Sequence, residues 1–177
     1  MKRYVSVAMV TTILWLLAGV SAAHDHRPPP RARLLSGGER QLGRQIHSEW
    51  TRRSGRFCIT TFADGFLRFP KAMPYAPSED VVLRLRKEAM PLEWQLQAWT
   101  EVSKDGYPKG DPETVPAIAE PRVIGSQVVG WDLRFVPPLV EGDLYLLIDV
   151  HWADEDECGP PPYLGSQSMS WSYHLRT

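Results

Sequence analysis

The chain has 177 residues, with 20 Lys plus Arg against 21 Asp plus Glu, giving a formal charge of −1. That balance excludes the strong basic excess of a nucleic-acid binder. A 10% aromatic content that includes 7 Trp is enough bulky apolar surface to fill the core of one sizeable domain.

Residues 1–23 read as a signal peptide. Lys2 and Arg3 form a charged start, and Val5 to Val20 is apolar apart from Ser6, Thr11, Thr12 and Gly19. Val20-Ser21-Ala22 and Ser21-Ala22-Ala23 then offer small residues for cleavage. The apolar run is shorter than the roughly 20 residues that a membrane span needs. The expectation is therefore an exported chain, secreted to an extracellular or periplasmic compartment, with no transmembrane segment after cleavage. Losing Lys2 and Arg3 takes Lys plus Arg from 20 to 18 and the formal charge from −1 to −3.

Residues 24–55 are expected to be a Pro-rich linker or arm. His24 to Arg33 (HDHRPPPRAR) is an extended spacer by composition. Ser36 to Trp50 has apolar residues at Leu42, Ile46 and Trp50, and Ser36 and Glu39 match a capping box. Gly37, Gly38 and Gly43 are poor helix formers, which limits this stretch to a short helix or an irregular arm laid on the domain.

From Arg56 the period becomes two, and residues 56–177 are expected to form the domain. Phe57 to Phe62 alternates into an Asp64-Gly65 turn signal. Val81, Leu83 and Leu85 alternate with Val82, Arg84 and Arg86. Leu92, Trp94, Leu96, Ala98, Thr100 and Val102 share one face of the next strand, with Trp99 on the other. Ser103 to Pro121 is rich in turn residues and has room for one short edge strand around Val115 to Ala119. Trp131, Leu133 and Phe135 mark another strand. Leu144, Leu146, Ile148, Val150 and Trp152 mark the central one, and Met169, Trp171, Tyr173 and Leu175 the last. About seven strands without an amphipathic helix predict an all-β fold, an antiparallel β-sandwich.

In strand number, strand length and a Trp early in the third strand, residues 56–177 resemble immunoglobulin-like and fibronectin type III domains. Such domains often carry a Tyr after Gly or Asp at the start of the penultimate strand, and Gly142-Asp143-Leu144-Tyr145 is similar. The alternation departs from that pattern by setting Tyr145 opposite the apolar face. A superfold of this kind implies architecture and no function.

Two cysteines in an exported chain predict one disulfide, Cys58 to Cys158. In the chain-entropy model, closing a loop of this length stabilises by roughly 4–5 kcal/mol.

Four places offer chemistry. Cleavage after Ala23 leaves His24-Asp25-His26, whose amine, backbone amides and imidazole suit square-planar Cu(II). Cleavage after Ala22 breaks that motif. The acidic run Asp154 to Glu157, near Asp149 and His151, is rich in oxygen but lacks the ligand spacing of a Ca²⁺ loop. No nucleophile, phosphate-loop or HExxH motif surrounds the histidines at 24, 26, 47, 151 and 174, so a non-enzymatic protein is expected. Trp99, sharing a polar face with Gln95 and Gln97, suits a protein or glycan partner. The other reading of Trp99 is a ring covered by the arm through Leu42, Ile46 or Trp50. The resulting expectation is an exported, non-enzymatic binding or envelope-associated protein. The alternative is a copper-binding one using His24 and His26.

Overall fold

A computed structural model of the chain describes residues 30–54, 57–153 and 167–177. The described chain is all strand and connection, in two antiparallel sheets around one core. The twelve strands are β1 Ala32–Ser36, β2 Glu39–Leu42, β3 Arg44–Ser54, β4 Phe57–Asp64, β5 Met73–Pro74 and β6 Val81–Leu85, then β7 Pro91–Trp99, β8 Glu113–Thr114, β9 Ile118–Ile124, β10 Gln127–Phe135, β11 Asp143–Trp152 and β12 Gln167–Arg176. One sheet has the order β2-β1-β6-β10-β9. The other runs β4-β3-β12-β11-β7-β8, and β5 lies parallel to the last residues of β12.

The period of two explains the layers. Ala32 and Leu34 on β1, Val81, Leu83 and Leu85 on β6, and Leu133 and Phe135 on β10 are buried on one inner face. They meet Leu96 and Ala98 on β7, the alternate residues Leu144 to Trp152 on β11, and Met169 to Leu175 on β12. Burying each large aliphatic or aromatic side chain contributes about 1.5–3 kcal/mol. At one end of the core Trp152 meets Trp50 and Trp171 edge to face, with centroids 6.3 and 6.4 Å apart. The Lys87 ammonium lies 4.8 Å from the Trp50 ring centroid and donates to Gln167 Oε1 at 3.0 Å.

The largest departure from expectation is in residues 32–54. In place of an arm with a short helix, these residues are β1, β2 and β3, and they belong to both sheets. Gly37 and Gly38, both at positive φ, close the β1–β2 turn. At Gly43 the chain then leaves the first sheet for the second. A Cβ at Gly43 would overlap the hydroxyl and ring of Tyr173, so only glycine lets the backbone cross there. The spacing of Leu42, Ile46 and Trp50 imitates a helix, yet this corner separates them: Leu42 is exposed on β2 while Trp50 packs on the core from β3. About seven strands were expected and the described residues form twelve, because the three strands of this stretch and the two-residue β5 and β8 add to the count.

The expected phase of β7 holds at Leu96 and Ala98 and fails at Leu92, which is exposed. The register against β11 shifts between His151 and Trp152, so Trp152 faces Pro91 and Leu92 is turned outward. Among the described residues, no helix is long and apolar enough to cross a membrane.

Candidate functional site

The outer face of the second sheet carries the polar halves of β11 and β12. Register sets Tyr145 opposite His174, Leu147 opposite Ser172, Asp149 opposite Ser170 and Asp143 opposite Arg176. This face is largely covered. Ser168, Ser170 and Ser172 are buried, and each needs a partner. Ser170 Oγ donates to Asp149 Oδ1. Ser172 Oγ donates at 2.6 Å to the carbonyl of Arg68, a residue of the segment that follows β4.

That segment, Gly65 to Lys71, crosses the polar face as an irregular strap. Gly65 N–H donates to the Ile46 carbonyl at 2.6 Å. The Pro70 carbonyl faces His174 Nδ1 at 3.3 Å, and Phe69 meets the Tyr145 ring edge to face at 4.9 Å. On its other side the β7–β8 connection folds into a tight turn. Ser103 N–H donates to the Tyr107 carbonyl at 2.7 Å, and Tyr107 N–H to Ser103 Oγ at 3.1 Å. Between strap and turn lies an open groove of about 800 Å³. Tyr145 and His174 form its floor, Phe66 and Tyr107 its lips, and Arg68, Lys104 and Asp105 its charged rim. Phe66 is 76% exposed and Tyr107 53%. A second cavity of about 490 Å³ lies beyond His174, against Lys71, Pro74 and Arg176.

His174 is the hub of this region. Its Nε2 faces Asp143 Oδ1 at 2.8 Å, and Arg176 grips the same carboxylate with Nε at 2.6 Å and Nη2 at 2.9 Å. Gln41 of β2 receives the His174 backbone N–H at 3.2 Å. The hydrogen bond from Arg176 holds the Asp143 carboxyl below its ordinary range, with a smaller contribution from His174, against the opposing effect of burial. Burial, reinforced by the nearby Asp143 charge, raises the Tyr145 phenol. Both imidazole nitrogens thus face oxygens of the protein itself, and the buried hydroxyl of Ser172 is committed to a carbonyl.

The residues singled out from sequence are scattered. Trp99 lies opposite Tyr145 on the outer face, half-buried, with its Nε1–H 3.3 Å from the Gly110 carbonyl. The β7–β8 turn meets it there, whereas Trp50 of the expected covering arm is packed on Trp152. Cys58 is exposed on β4; its expected partner Cys158 lies outside the described residues. His24, His26 and the acidic run Asp154 to Glu157 also lie outside them. His151 is exposed at the end of β11. Among the described residues, no three His, Cys, Asp or Glu side chains gather as a metal site. Sequence reasoning did not single out Phe66, Tyr107 or His174 as site residues. Its usable signal was the Gly142-Asp143-Leu144-Tyr145 stretch with a polar face on the last strand.

Compared with known proteins, the chain matches no family model, no curated protein and no solved structure.

Proposed function

We propose that this chain is an exported, non-enzymatic β-sandwich protein that binds a partner through the groove between the Gly65–Lys71 strap and the β7–β8 turn. The observation that carries the reading is the pair of exposed aromatic lips, Phe66 and Tyr107, above a floor held by Tyr145 and His174. Exposed aromatic rings at the mouth of a groove suit recognition of a partner, and a few polar groups at the rim give orientation. The hydrogen bonding of His174 and Ser172 supports binding over turnover, since both groups are engaged with the protein itself. The charged start and apolar run before residue 24 support export. The two-sheet antiparallel arrangement supports an immunoglobulin-like kinship of architecture.

The test is an NMR titration of the isotope-labelled protein with soluble oligosaccharides and with extended peptides. Shifts confined to Phe66, Tyr107, Tyr145 and His174, lost in Phe66→Ala/Tyr107→Ala, are expected with one of the two sets. Shifts that survive the double substitution refute the groove. Turnover of a substrate that one point mutation abolishes refutes the non-enzymatic role.

A further inference from the structure

Among the described residues, four strands end the main strand orders of the two sheets, and three of them are protected against further pairing. An edge strand presents a row of free N–H and C=O groups, which proteins blunt with charge, proline or shortness. In this fold β8 has two residues, and β2 has four, including Glu39 and Arg40. β9 carries Pro121 at its centre, between Glu120 and Arg122. Among the described residues, β4 has none of these devices. It runs eight residues, FCITTFAD, without proline and without charge before Asp64. Every side chain from Cys58 to Asp64 is exposed, including Ile59 at 41% and Phe62 at 63%. Among the described residues it pairs with β3 alone.

We propose that β4 is a strand-addition edge and that its occupant is β4 of a second copy of this chain, antiparallel across a two-fold axis. Antiparallel ladders alternate between two pair types, so a two-fold pairing must set one residue opposite its own copy. The middle of β4 offers Thr60 or Thr61 as that pivot. With Thr60 at the axis, Ile59 faces Thr61, Cys58 faces Phe62 and Phe57 faces Ala63. No like charges oppose one another, and threonine, aromatic and β-branched neighbours are favoured cross-strand pairs. An uncharged strand has nothing to select a charged foreign segment, whereas its own copy matches it in length and polarity. Cys58 does not face itself in either register, so the association is non-covalent. One edge buries less than the roughly 1,200–2,000 Å² of a standard interface, which makes the dimer reversible and concentration-dependent.

The experiment is sedimentation velocity on the full chain, unreduced, across micromolar concentrations. Wild type is expected to shift from monomer to dimer. Ile59→Lys/Thr61→Lys and Ile59→Glu/Thr61→Glu each oppose like charges with either pivot and are expected to weaken dimerisation at least ~10-fold. An equal mixture of the two is expected to regain the dimer. Far-UV circular dichroism checks folding; should either double variant unfold, Thr60→Lys/Phe62→Lys also opposes like charges with either pivot and carries the same expectation. A wild type that stays monomeric throughout, variants that dimerise as wild type does, or a mixture that stays monomeric would each overturn the proposal. An interchain disulfide on a non-reducing gel would overturn it too.

Discussion

The imidazole of His174 lies nearly parallel to the phenol ring of Tyr145, with centroids 4.4 Å apart and planes 19° from one another. The two residues face each other in the β11–β12 ladder, where cross-strand side chains come within contact distance. The stack orients the imidazole so that one nitrogen meets Asp143 and the other the Pro70 carbonyl. A cross-strand pair in a sheet thereby anchors an irregular strap, and the strap forms one wall of the groove.

Removing the anchor is expected to loosen that wall. His174→Ala deletes the stack and the ring's contacts with Asp143 and the Pro70 carbonyl, a loss of about 1–3 kcal/mol. Hydrogen exchange should then quicken at the amides of Gly65 to Lys71 while the β11 centre stays protected. Unchanged exchange in the strap would show that its contacts with Ser172, Ile46 and Tyr145 hold it without the imidazole.

The acid limb of stability should report Asp143. Its carboxyl lies below the ordinary range in the folded protein, chiefly through Arg176. A depressed folded pKa means that the unfolded chain takes up the proton first as pH falls. The contribution is fully present above the unfolded carboxyl range, about pH 4 and higher, and is lost as pH falls through the folded value. Urea titrations of wild type and Asp143→Asn are expected to differ at pH 7 and to converge towards pH 2. A constant difference across that range contradicts the assignment.

At the sheet-to-sheet corner, Gly43→Ala should destabilise by about 1–3 kcal/mol through overpacking against Tyr173. The Tyr173 hydroxyl is buried and has no hydrogen-bond partner among the described residues. Tyr173→Phe is therefore expected to recover part of the loss in a double-mutant cycle, since the hydroxyl is the nearest obstacle. Strict additivity of the two substitutions would place the clash elsewhere.

On the outer face of the first sheet, Asp132 is buried between two guanidiniums. Arg84 donates to it with Nε at 3.1 Å and Nη2 at 3.0 Å, and Arg122 Nε lies 3.1 Å from Oδ1. Asp132→Ala leaves Arg84 without its hydrogen-bond acceptor and Arg122 without its ion-pair partner, and should cost about 1–3 kcal/mol, moderated by their partial exposure. Thermal melts of Asp132→Ala against Arg134→Ala, which removes the exposed pair with Glu120, should rank the first as much the worse.

For the two cysteines, the mature protein is expected to show no titratable thiol when denatured without reductant. Reduction should lower the unfolding midpoint, in line with a loop of this length. Two free thiols per chain would refute the Cys58–Cys158 bridge.

The strands from β10 onward were legible because a period of two is a local property. Leu144 to Trp152 and Met169 to Leu175 each place an inner face by alternation alone, and both are buried as expected. Leu92 was misplaced because a bulge against His151 and Trp152 changes the phase, and a bulge is set by the partner strand. Residues 32–54 were misread because Leu42, Ile46 and Trp50 keep a helical spacing across a glycine corner whose reason is the Tyr173 ring. The groove lay further from view: the Pro70 carbonyl and the ring it meets are 104 positions apart.

By itself the sequence determined the all-β class, the inner faces of the long strands and the polarity of their outer ones, since each follows from the direction of successive side chains along one chain. Only the tertiary structure decided which strands are neighbours, where the chain changes sheet, and that Asp143, Tyr145, His174 and Pro70 meet. Those outcomes depend on register between distant segments and on the space that one side chain leaves for another.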